Sequence, residues 1–358
     1  MVVLHLLQSY RFSGAENVAC QIIEMMSEEG GYKQIYASTD GEIRKSVTDR
    51  GIEFAGLKSF SLSEVRRVIR EVRPDIIYAH DMHASFKAAL CMGKAKLICH
   101  IHNNNFNSRK LSFKTFLFKY AAKKASHIFW VSDTSYENFY YRDKFVGKSS
   151  VLYNIIDIEE LYKKRDVDTN RYDYDVVFLG RLAAPKNPER LLKVFSEIIA
   201  RRPESRLAIV GTGELERVVH EMAKSMDFND NLFFLGYKSN PYKILSDSKV
   251  MILTSLWEGT PMCSLEAMAL GVPIVSTPTD GLCRVVIDKK TGFLSDDDQE
   301  LAELCCRLID DTELHKNMSA AAISRVKELM DKDVYKEEIR KAYEEDWDNS
   351  ADAERRRS

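Results

Sequence analysis

Long hydrophobic runs are missing from this sequence of 358 residues. No apolar stretch approaches the roughly 20 residues that a membrane-spanning helix needs. The opening run, Met1–Gln8, is apolar, but it lacks a basic leader and a small-residue cleavage site, so we expect no signal peptide. We therefore expect a cytoplasmic protein that at most touches the cytoplasmic face of a membrane.

Paired cysteines are also missing. The seven cysteines are scattered and odd in number, and none has the C-x-x-C spacing of a metal site. No D-x-D pair is placed to bind a divalent ion through a diphosphate. The sequence thus predicts reduced cysteines, no metal and no cofactor.

Basic residues are not concentrated in any segment of the chain, which argues against nucleic acid as a partner. The net charge of −2 nevertheless hides an asymmetry. Residues 1–165 carry 25 Lys and Arg against 18 Asp and Glu, whereas residues 166–358 carry 27 against 36. The first half suits an anionic surface or acceptor, although an uneven surface charge without function explains the asymmetry equally well.

Short β-branched runs alternate with amphipathic stretches along the whole chain, which is typical of parallel α/β sheets. The length favours two domains. The predicted strands are Val2–Leu7, Gln34–Ala37, Ile76–Ala79, Lys96–Ile101, His127–Val131, Ser150–Tyr153, Asp175–Leu179, Arg206–Val210, Asn231–Leu235, Val250–Thr254, Pro273–Ser276 and Gly292–Leu294. The predicted helices are Ala15–Glu28, Leu62–Val72, Arg109–Lys124, Asn187–Ala200, Glu214–Met226, Pro241–Ser246, Ser264–Leu270 and Asp333–Asp348.

Each half therefore reads as a doubly wound sheet. We predict a first domain over residues 1–160, a second over 161–335, and a C-terminal helix with a tail over 336–358 that crosses back to the first domain. The polar segment Asp157–Tyr174 has the weakest pattern and is predicted to be the linker.

Ligands of open parallel sheets bind at the carboxyl ends of the strands, so the loops after the strands carry the functional signal. After Asp175–Leu179, Gly180 allows a turn, and Arg181 and Lys186 stand just before a helix. Two cations at a helix start suit a diphosphate. Two solvated surface cations are the alternative.

After Arg206–Val210, Gly211-Thr-Gly213 is either a plain tight turn or a close approach to phosphate.

After Val250–Thr254 comes the most informative segment, Glu258-Gly-Thr-Pro-Met-Cys-Ser-Leu-Glu266. Glu258 falls in the loop and Glu266 about one turn inside the predicted helix. Two carboxylates on either side of a helix start can contact different parts of one ligand, and the amide groups between them can donate to phosphate or sugar oxygens.

The order Gly180-Arg181-(x)4-Lys186-Asn187, then Gly-x-Gly, then Glu258 through Val275 resembles the donor half of retaining GT-B glycosyltransferases of glycosyltransferase family 4. Ser13-Gly14-Ala15-Glu16 is similar to the glycine-rich loop of that family, and Asn154–Asp157 to its interdomain segment. The resemblance implies two Rossmann-like domains that face each other across a cleft. It also implies transfer of a hexose or N-acetylhexosamine from a UDP-sugar to a glycan or lipid-linked acceptor, as in polysaccharide and capsule biosynthesis.

The same resemblance implies roles for individual residues. Arg181 and Lys186 would stabilise the departing diphosphate, Glu258 would hold hydroxyls of the transferred sugar, and Glu266 those of the ribose. His102 would reach the donor sugar, although a lone histidine is more often structural, and His80 and His83 have weaker claims. The other implied donor-binding residues are Gly14, Gly180, Gly211, Tyr237, Lys238, Gly259, Thr260, Pro261, Met262, Cys263 and Ser264. Arg284 stands where many members carry a glutamate, which leaves the substrate preference open.

The helix predicted over Arg109–Lys124 combines lysines with aromatic residues. It could lie on an anionic membrane surface, or it could pack Phe113, Phe116, Leu117 and Tyr120 on the sheet. Other functions also stay open at this point: a sugar-nucleotide epimerase of the same fold, an NAD-dependent dehydrogenase, which would need a fuller glycine fingerprint, and a non-enzymatic two-domain sugar-binding protein.

Overall fold

The computed structural model describes residues 1–9, 12, 14–102, 111–226 and 228–344. Contacts between residues divide the chain into two compact units. Unit 1 contains Met1–Asn154 together with the segment that begins at Lys332, and unit 2 contains Ile155–Asp331. Among the described residues, no helix is both long enough and apolar enough to span a bilayer.

Unit 1 is built on a seven-stranded parallel sheet with the order β3-β2-β1-β4-β5-β6-β7. Its strands are β1 Val2–Leu6, β2 Lys33–Thr39, β3 Glu53–Leu57, β4 Ile76–His80, β5 Lys96–Ile101, β6 His127–Trp130 and β7 Ser149–Val151. The order reverses between β1 and β4, which is the place where doubly wound sheets open a crevice for ligands.

Helices flank this sheet, and most of them bury a side made mainly of apolar residues. They are α1 Gly14–Glu28, α2 Glu42–Thr48, α3 Leu62–Val72, α4 Asp81–Cys91, α5 Phe113–Lys124 and α6 Asp133–Glu137. In α3 the stripe is Val65, Val68 and Ile69, and the Ser61 hydroxyl caps the helix by accepting from the Glu64 amide at 3.3 Å.

Unit 2 repeats the plan with six parallel strands in the order β10-β9-β8-β11-β12-β13. The strands are β8 Val176–Leu179, β9 Leu207–Val210, β10 Leu232–Gly236, β11 Val250–Leu253, β12 Ile274–Ser276 and β13 Gly292–Leu294. The helices are α7 Ile158–Val167, α8 Pro188–Arg201, α9 Glu216–Ser225, α10 Tyr242–Asp247, α11 Met262–Ala269, α12 Asp280–Val285, α13 Asp298–Asp310 and α14 Thr312–Leu329. Here the order reverses between β8 and β11.

The last described helix, α15 Lys332–Glu344, belongs to unit 1. It buries Ile339 and Tyr343, and the Lys96 ammonium donates to the Tyr343 carbonyl at 3.2 Å. The tail after Glu344, like Ser13, Arg109 and Lys110 from the predicted motifs, lies outside the described residues.

The predicted α/β fold with two doubly wound sheets is confirmed, and every predicted strand is found within a few residues. The predicted linker is wrong: most of Asp157–Tyr174 is helix α7. Asp157 caps this helix through the Glu160 amide at 3.0 Å, Leu161 is buried, and the Tyr162 hydroxyl donates to the Ala269 carbonyl. The helix was not predicted because its sequence is mostly polar and only a few of its residues make apolar contacts.

The prediction of which face of α5 packs on the sheet is also wrong. Phe113 and Phe116 are 77% and 58% exposed, and Tyr120 is exposed as well. The helix buries Phe118, together with Thr115, Ala121 and Ala122. A capping box between Ser112 and Thr115 fixes where α5 begins. Small residues at the buried positions let the helix approach the neighbouring elements closely, and this leaves two phenylalanines in solvent.

Candidate active site

In unit 2 the loops that follow β8, β9 and β11 meet at the carboxyl edge of the sheet. β8 lies between β9 and β11, and Val176 is in register with both Leu207 and Val250. The Gly180 loop, the Gly211 loop and the Glu258 loop therefore emerge side by side at the point where the strand order reverses.

The first two loops are joined backbone to backbone. The amide of Gly180 donates to the Val210 carbonyl, and that of Leu182 to the Thr212 carbonyl, both at 3.0 Å. Gly211 has a φ of +135°, and a Cβ there would lie 2.0 Å from the Gly180 oxygen. A Cβ on Gly213 would lie 2.3 Å from the Leu182 oxygen. Packing between these loops is enough to require both glycines.

Lys186 and Glu258 come together as an ion pair between Nζ and Oε1. Their side chains are only 16% and 11% exposed, and the Ser255 hydroxyl donates to the same carboxylate oxygen at 2.6 Å. Burial, the largest single effect, lowers the pKa of Lys186, but the charge of Glu258, its hydrogen bond and the nearby Cys263 together outweigh burial, so the pKa is raised. Lys186 is therefore a fixed cation at neutral pH.

Arg181 contrasts with Lys186. Its side chain is exposed, and among the described residues it has neither a hydrogen bond nor an ion pair. Its charge acts on Lys186 in the direction that lowers the lysine's pKa, as a nearby like charge does. An unpaired guanidinium close to a buried ammonium favours binding of an anion.

Glu266 lies inside helix α11, which begins at Met262, two residues before the predicted start. Glu266 is 9% exposed, and the Tyr242 hydroxyl donates to its Oε1 at 3.2 Å. Burial raises the pKa of Glu266 to about 7, because desolvation penalises the carboxylate. Near neutral pH this group can either donate or accept a hydrogen bond.

Close backbone contact fixes the loop between the two glutamates. A Cβ on Gly281 would fall 1.2 Å from the Gly259 oxygen, so no side chain fits there. The Thr277 hydroxyl donates to the Ser255 carbonyl at 2.7 Å. Gly281 belongs to α12, which also carries Arg284 with its side chain exposed.

The remaining predicted positions differ in exposure. Thr260 and Ser264 are buried, and burial raises the pKa of the Cys263 thiol to about 12, which leaves it unreactive. Tyr237 is 61% exposed and Lys238 is exposed; both follow β10, which is separated from β8 by β9. The structure does not bring these two residues into the Lys186–Glu258 contact.

In unit 1, Gly14 is exposed at the start of α1, with open space around it. His102 follows β5 and contacts His80, so it is not a lone histidine. A cavity of about 420 Å³ opens where the strand order of this sheet reverses, and its polar lining includes Gln8, Glu16, Asp81, His83 and Lys114. Its volume suits a small ligand.

Ser255, Tyr242 and His5 were not predicted, although each contacts a predicted site residue. The sequence holds a weak signal for the histidines only, because two predicted strands contain His5 and His100 and a third is followed directly by His80.

Two family models account for most of the chain. The family described as Glycosyltransferase Family 4 matches residues 12–160, and the one described as Glycosyl transferases group 1 matches residues 159–325. Each half of the chain is thus similar to one glycosyltransferase family, and the two Rossmann-like sheets are those of the GT-B glycosyltransferase fold. The two matches meet close to the border between the two units.

Relatives agree with this assignment. An uncharacterized glycosyltransferase of Methanocaldococcus jannaschii is 25% identical over 309 residues, which are 72% of this chain and 76% of the relative. The UDP-Gal:alpha-D-GlcNAc-diphosphoundecaprenol alpha-1,3-galactosyltransferase of Escherichia coli is 26% identical over 254 residues, 65% of each chain. Crystalline Anabaena HepE with UDP and glucose has a TM-score of 0.82, with 20% identity over 95% of this chain and 98% of its own. At that identity the likeness establishes the GT-B fold alone.

Proposed function

We propose that this glycosyltransferase moves a hexose or N-acetylhexosamine from a UDP-sugar to a glycan or lipid-linked acceptor, with retention at the anomeric carbon. The observation that carries the proposal is the buried Lys186–Glu258 pair beside the unpaired Arg181, at the point where the sheet of unit 2 opens. The galactosyltransferase relative acts on a diphosphoundecaprenol-linked sugar, which supports this acceptor class.

In this proposal Arg181 and Lys186 take up the negative charge that grows on the diphosphate as it leaves. These two cations do the work that a divalent ion does elsewhere, so transfer proceeds without a metal. Glu258, held in place by Lys186 and Ser255, accepts hydrogen bonds from hydroxyls of the transferred sugar. Glu266 accepts from the ribose, which favours its ionised form when donor is bound.

A thermal-shift screen of UDP, GDP, ADP and their sugar conjugates, without divalent ions, tests the donor. We expect UDP and a UDP-sugar to raise the melting temperature, because a ligand of the native state stabilises it by RT ln(1 + [L]/Kd). The shift should vanish in Arg181→Ala, whose own fold loses no contact. A shift with GDP or ADP alone would contradict the uridine donor, and no shift with any nucleotide would remove the proposal's main support.

The proposal includes contact with an anionic membrane through α5. Phe113 and Phe116 are largely exposed, as is Leu111 at 65%, and Lys114 lies among them. Exposed aromatic groups enter the lipid interface while lysines meet the anionic head groups. This surface is consistent with a lipid-linked acceptor.

Sedimentation with vesicles that contain phosphatidylglycerol tests this surface. We expect the double variant Phe113→Ser/Phe116→Ser to bind at least about 10-fold more weakly, because two phenylalanines no longer bury apolar surface. Val334→Ser, which removes an exposed apolar residue of unit 1 from α15, serves as the matched control. Equal sedimentation of the double variant and the wild type would contradict the membrane contact.

A further inference from the structure

Two consecutive hydroxyl residues follow strand β11, and they contact opposite members of the Lys186–Glu258 pair. Thr254 is fully buried and Ser255 is 2% exposed. Thr277, which is 3% exposed, directly follows β12, the strand that pairs with β11. Together Thr254, Ser255 and Thr277 form what we call the hydroxyl clamp. Burying a hydroxyl group is costly unless it is hydrogen bonded, so the partners of these three groups decide what they contribute.

Ser255 acts on the carboxylate of Glu258. Its hydroxyl donates to Oε1 at 2.6 Å, and the Lys186 ammonium donates to the same oxygen. The other oxygen, Oε2, accepts no hydrogen bond from the described residues. It is not one of the described polar atoms that are both buried and without a partner, so solvent reaches it. The carboxylate is thus held by one oxygen and presents the other.

The Ser255 hydroxyl fixes the orientation of this carboxylate better than the ammonium does. The ammonium of Lys186 carries three donors on a flexible four-carbon stem, so its charge alone leaves the plane of the Glu258 carboxylate free to rotate. Ser255 has one donor on a short side chain. Its backbone is held as well, because the Thr277 hydroxyl donates to the Ser255 carbonyl at 2.7 Å.

Thr254 acts on the backbone that carries Lys186. Its hydroxyl lies within donating distance of two carbonyl oxygens, that of Asn187 at 3.1 Å and that of Lys186 at 3.3 Å. Asn187 has a left-handed backbone, with a φ of +48°, just before α8. The Leu256 amide donates to the Pro185 carbonyl at 2.8 Å, which joins the same turn to the loop after β11. The position of Lys186 relative to β11 therefore depends on Thr254.

We propose that the hydroxyl clamp positions both charged groups for sugar transfer. Thr254 fixes the backbone of Lys186. Ser255, supported by Thr277, turns the Glu258 carboxylate so that Oε2 is the oxygen left to face the transferred sugar. All three are positioning residues that act through Lys186 and Glu258. The sugar contact rests on the proposed function, whereas the clamp rests on contacts within unit 2.

Calorimetric titration with UDP-glucose and with UDP tests the clamp. In Ser255→Ala the Lys186–Glu258 pair remains but the carboxylate can rotate. We therefore expect UDP-glucose to bind about 3- to 10-fold more weakly, the effect of one hydrogen bond, with the affinity for UDP unchanged. Ser255→Thr keeps the hydroxyl and should recover most of the loss. If the thermal-shift screen identifies another base, the corresponding GDP or ADP pair replaces these two ligands.

Thr254→Val is expected to give a different pattern. Valine has the shape of threonine without the hydroxyl, so the turn that carries Lys186 loses its hydrogen bond to the end of β11. Because the lysine meets the diphosphate, which both ligands contain, UDP-glucose and UDP should weaken by the same factor of about 3 to 10. Thr277→Val, which frees the Ser255 carbonyl, should change the two affinities as Ser255→Ala does, with a smaller effect.

Ser248→Ala is the matched control. Ser248 lies two residues before β11, at the opposite end of the strand from Ser255, and is 5% exposed. Its hydroxyl donates to the Ile244 carbonyl at 2.8 Å. The variant loses one buried hydrogen bond, as Ser255→Ala does, and should leave the ratio of the two affinities unchanged. The same ratio in Ser255→Ala, Ser248→Ala and the wild type would overturn the role of the clamp.

Glu258→Gln separates the clamp from the proposed function. If Glu258→Gln lowers the affinity for UDP-glucose while Ser255→Ala does not, the sugar contact stands and the positioning role is overturned. If neither variant changes that affinity, the contact between Glu258 and the donor sugar, part of the proposed function, is wrong as well. If Ser255→Thr binds as weakly as Ser255→Ala and Thr277→Val binds like the wild type, the hydroxyl is not the cause, and the positioning role is again overturned.

Discussion

Replacing Arg181 with alanine is expected to lower the rate of sugar transfer by about 10²–10³-fold while leaving the melting temperature of the free protein unchanged. The guanidinium is exposed and has no partner among the described residues, so its loss breaks no contact of the fold. Its charge is needed when the diphosphate binds and again when it departs. The transfer rate is measured as the release of nucleotide from the donor that the thermal-shift screen identifies. The melting temperature is measured by calorimetry.

Arg217→Ala is the matched control, since Arg217 is an exposed arginine of the same unit and lies on α9. It should leave both the transfer rate and the melting temperature unchanged.

Lys186→Ala should lose activity as Arg181→Ala does, but it should also lose stability, because Glu258 would remain buried without its cation. Lys186→Ala/Glu258→Gln should regain stability and stay inactive. Full activity of Arg181→Ala would remove Arg181 from the catalytic site.

Much of unit 2 could be predicted because its ligand-binding motifs directly follow segments that the sequence marks as strands. β-branched runs such as Val250–Leu253 mark buried parallel strands, and the residues that follow them must emerge at one edge. The position of the Glu258 loop beside the Arg181 loop therefore followed from topology. The direct pairing of Lys186 with Glu258 did not, because it depends on side-chain reach within a folded loop.

Elements without a strong apolar pattern were missed for identifiable reasons. Strand β3 reads Glu53-Phe-Ala-Gly-Leu57, lies at the edge of its sheet and buries only Leu57 fully. Its glycine and its lack of β-branched residues give no strand signal. The contacts of His5 and His102 with His80 were missed because these three residues are far apart in sequence and meet only through the strand order β1-β4-β5.

The buried histidines of unit 1 make a second large effect predictable. Acidification from pH 7 to pH 5 is expected to destabilise unit 1 by several kcal/mol. Burial lowers the pKa of His5 and His127 to about 4 and that of His102 to about 3, while His80 and His100 fall well below the ordinary value. In the unfolded chain these histidines titrate near 6.5.

Below pH 6.5 the histidines of the unfolded state therefore bind protons, whereas those of the folded state stay neutral. The free energy of unfolding falls as the pH drops from 6.5 toward the lowered pKa values of the folded state. Each such histidine contributes about 1.4 kcal/mol per pH unit across that window. Several together approach the whole stability of an ordinary domain. Carboxylates with lowered pKa values, such as Asp40 and Glu64, act only at lower pH and do not compete in this range.

Tryptophan fluorescence can resolve the two units during unfolding by urea. Trp130 is fully buried in unit 1 and Trp257 is 44% exposed in unit 2, so variants that keep one of them, with Trp347 replaced by phenylalanine, report on one unit each. The Trp130 midpoint should fall steeply between pH 7 and pH 5. Glu266 acts in the opposite sense on unit 2, because its raised pKa means that the folded state binds the extra proton below about pH 7. The Trp257 midpoint should therefore fall much less or rise. A Trp130 midpoint that does not move would mean that water or a conformational change already lets the buried histidines take up protons in the folded protein.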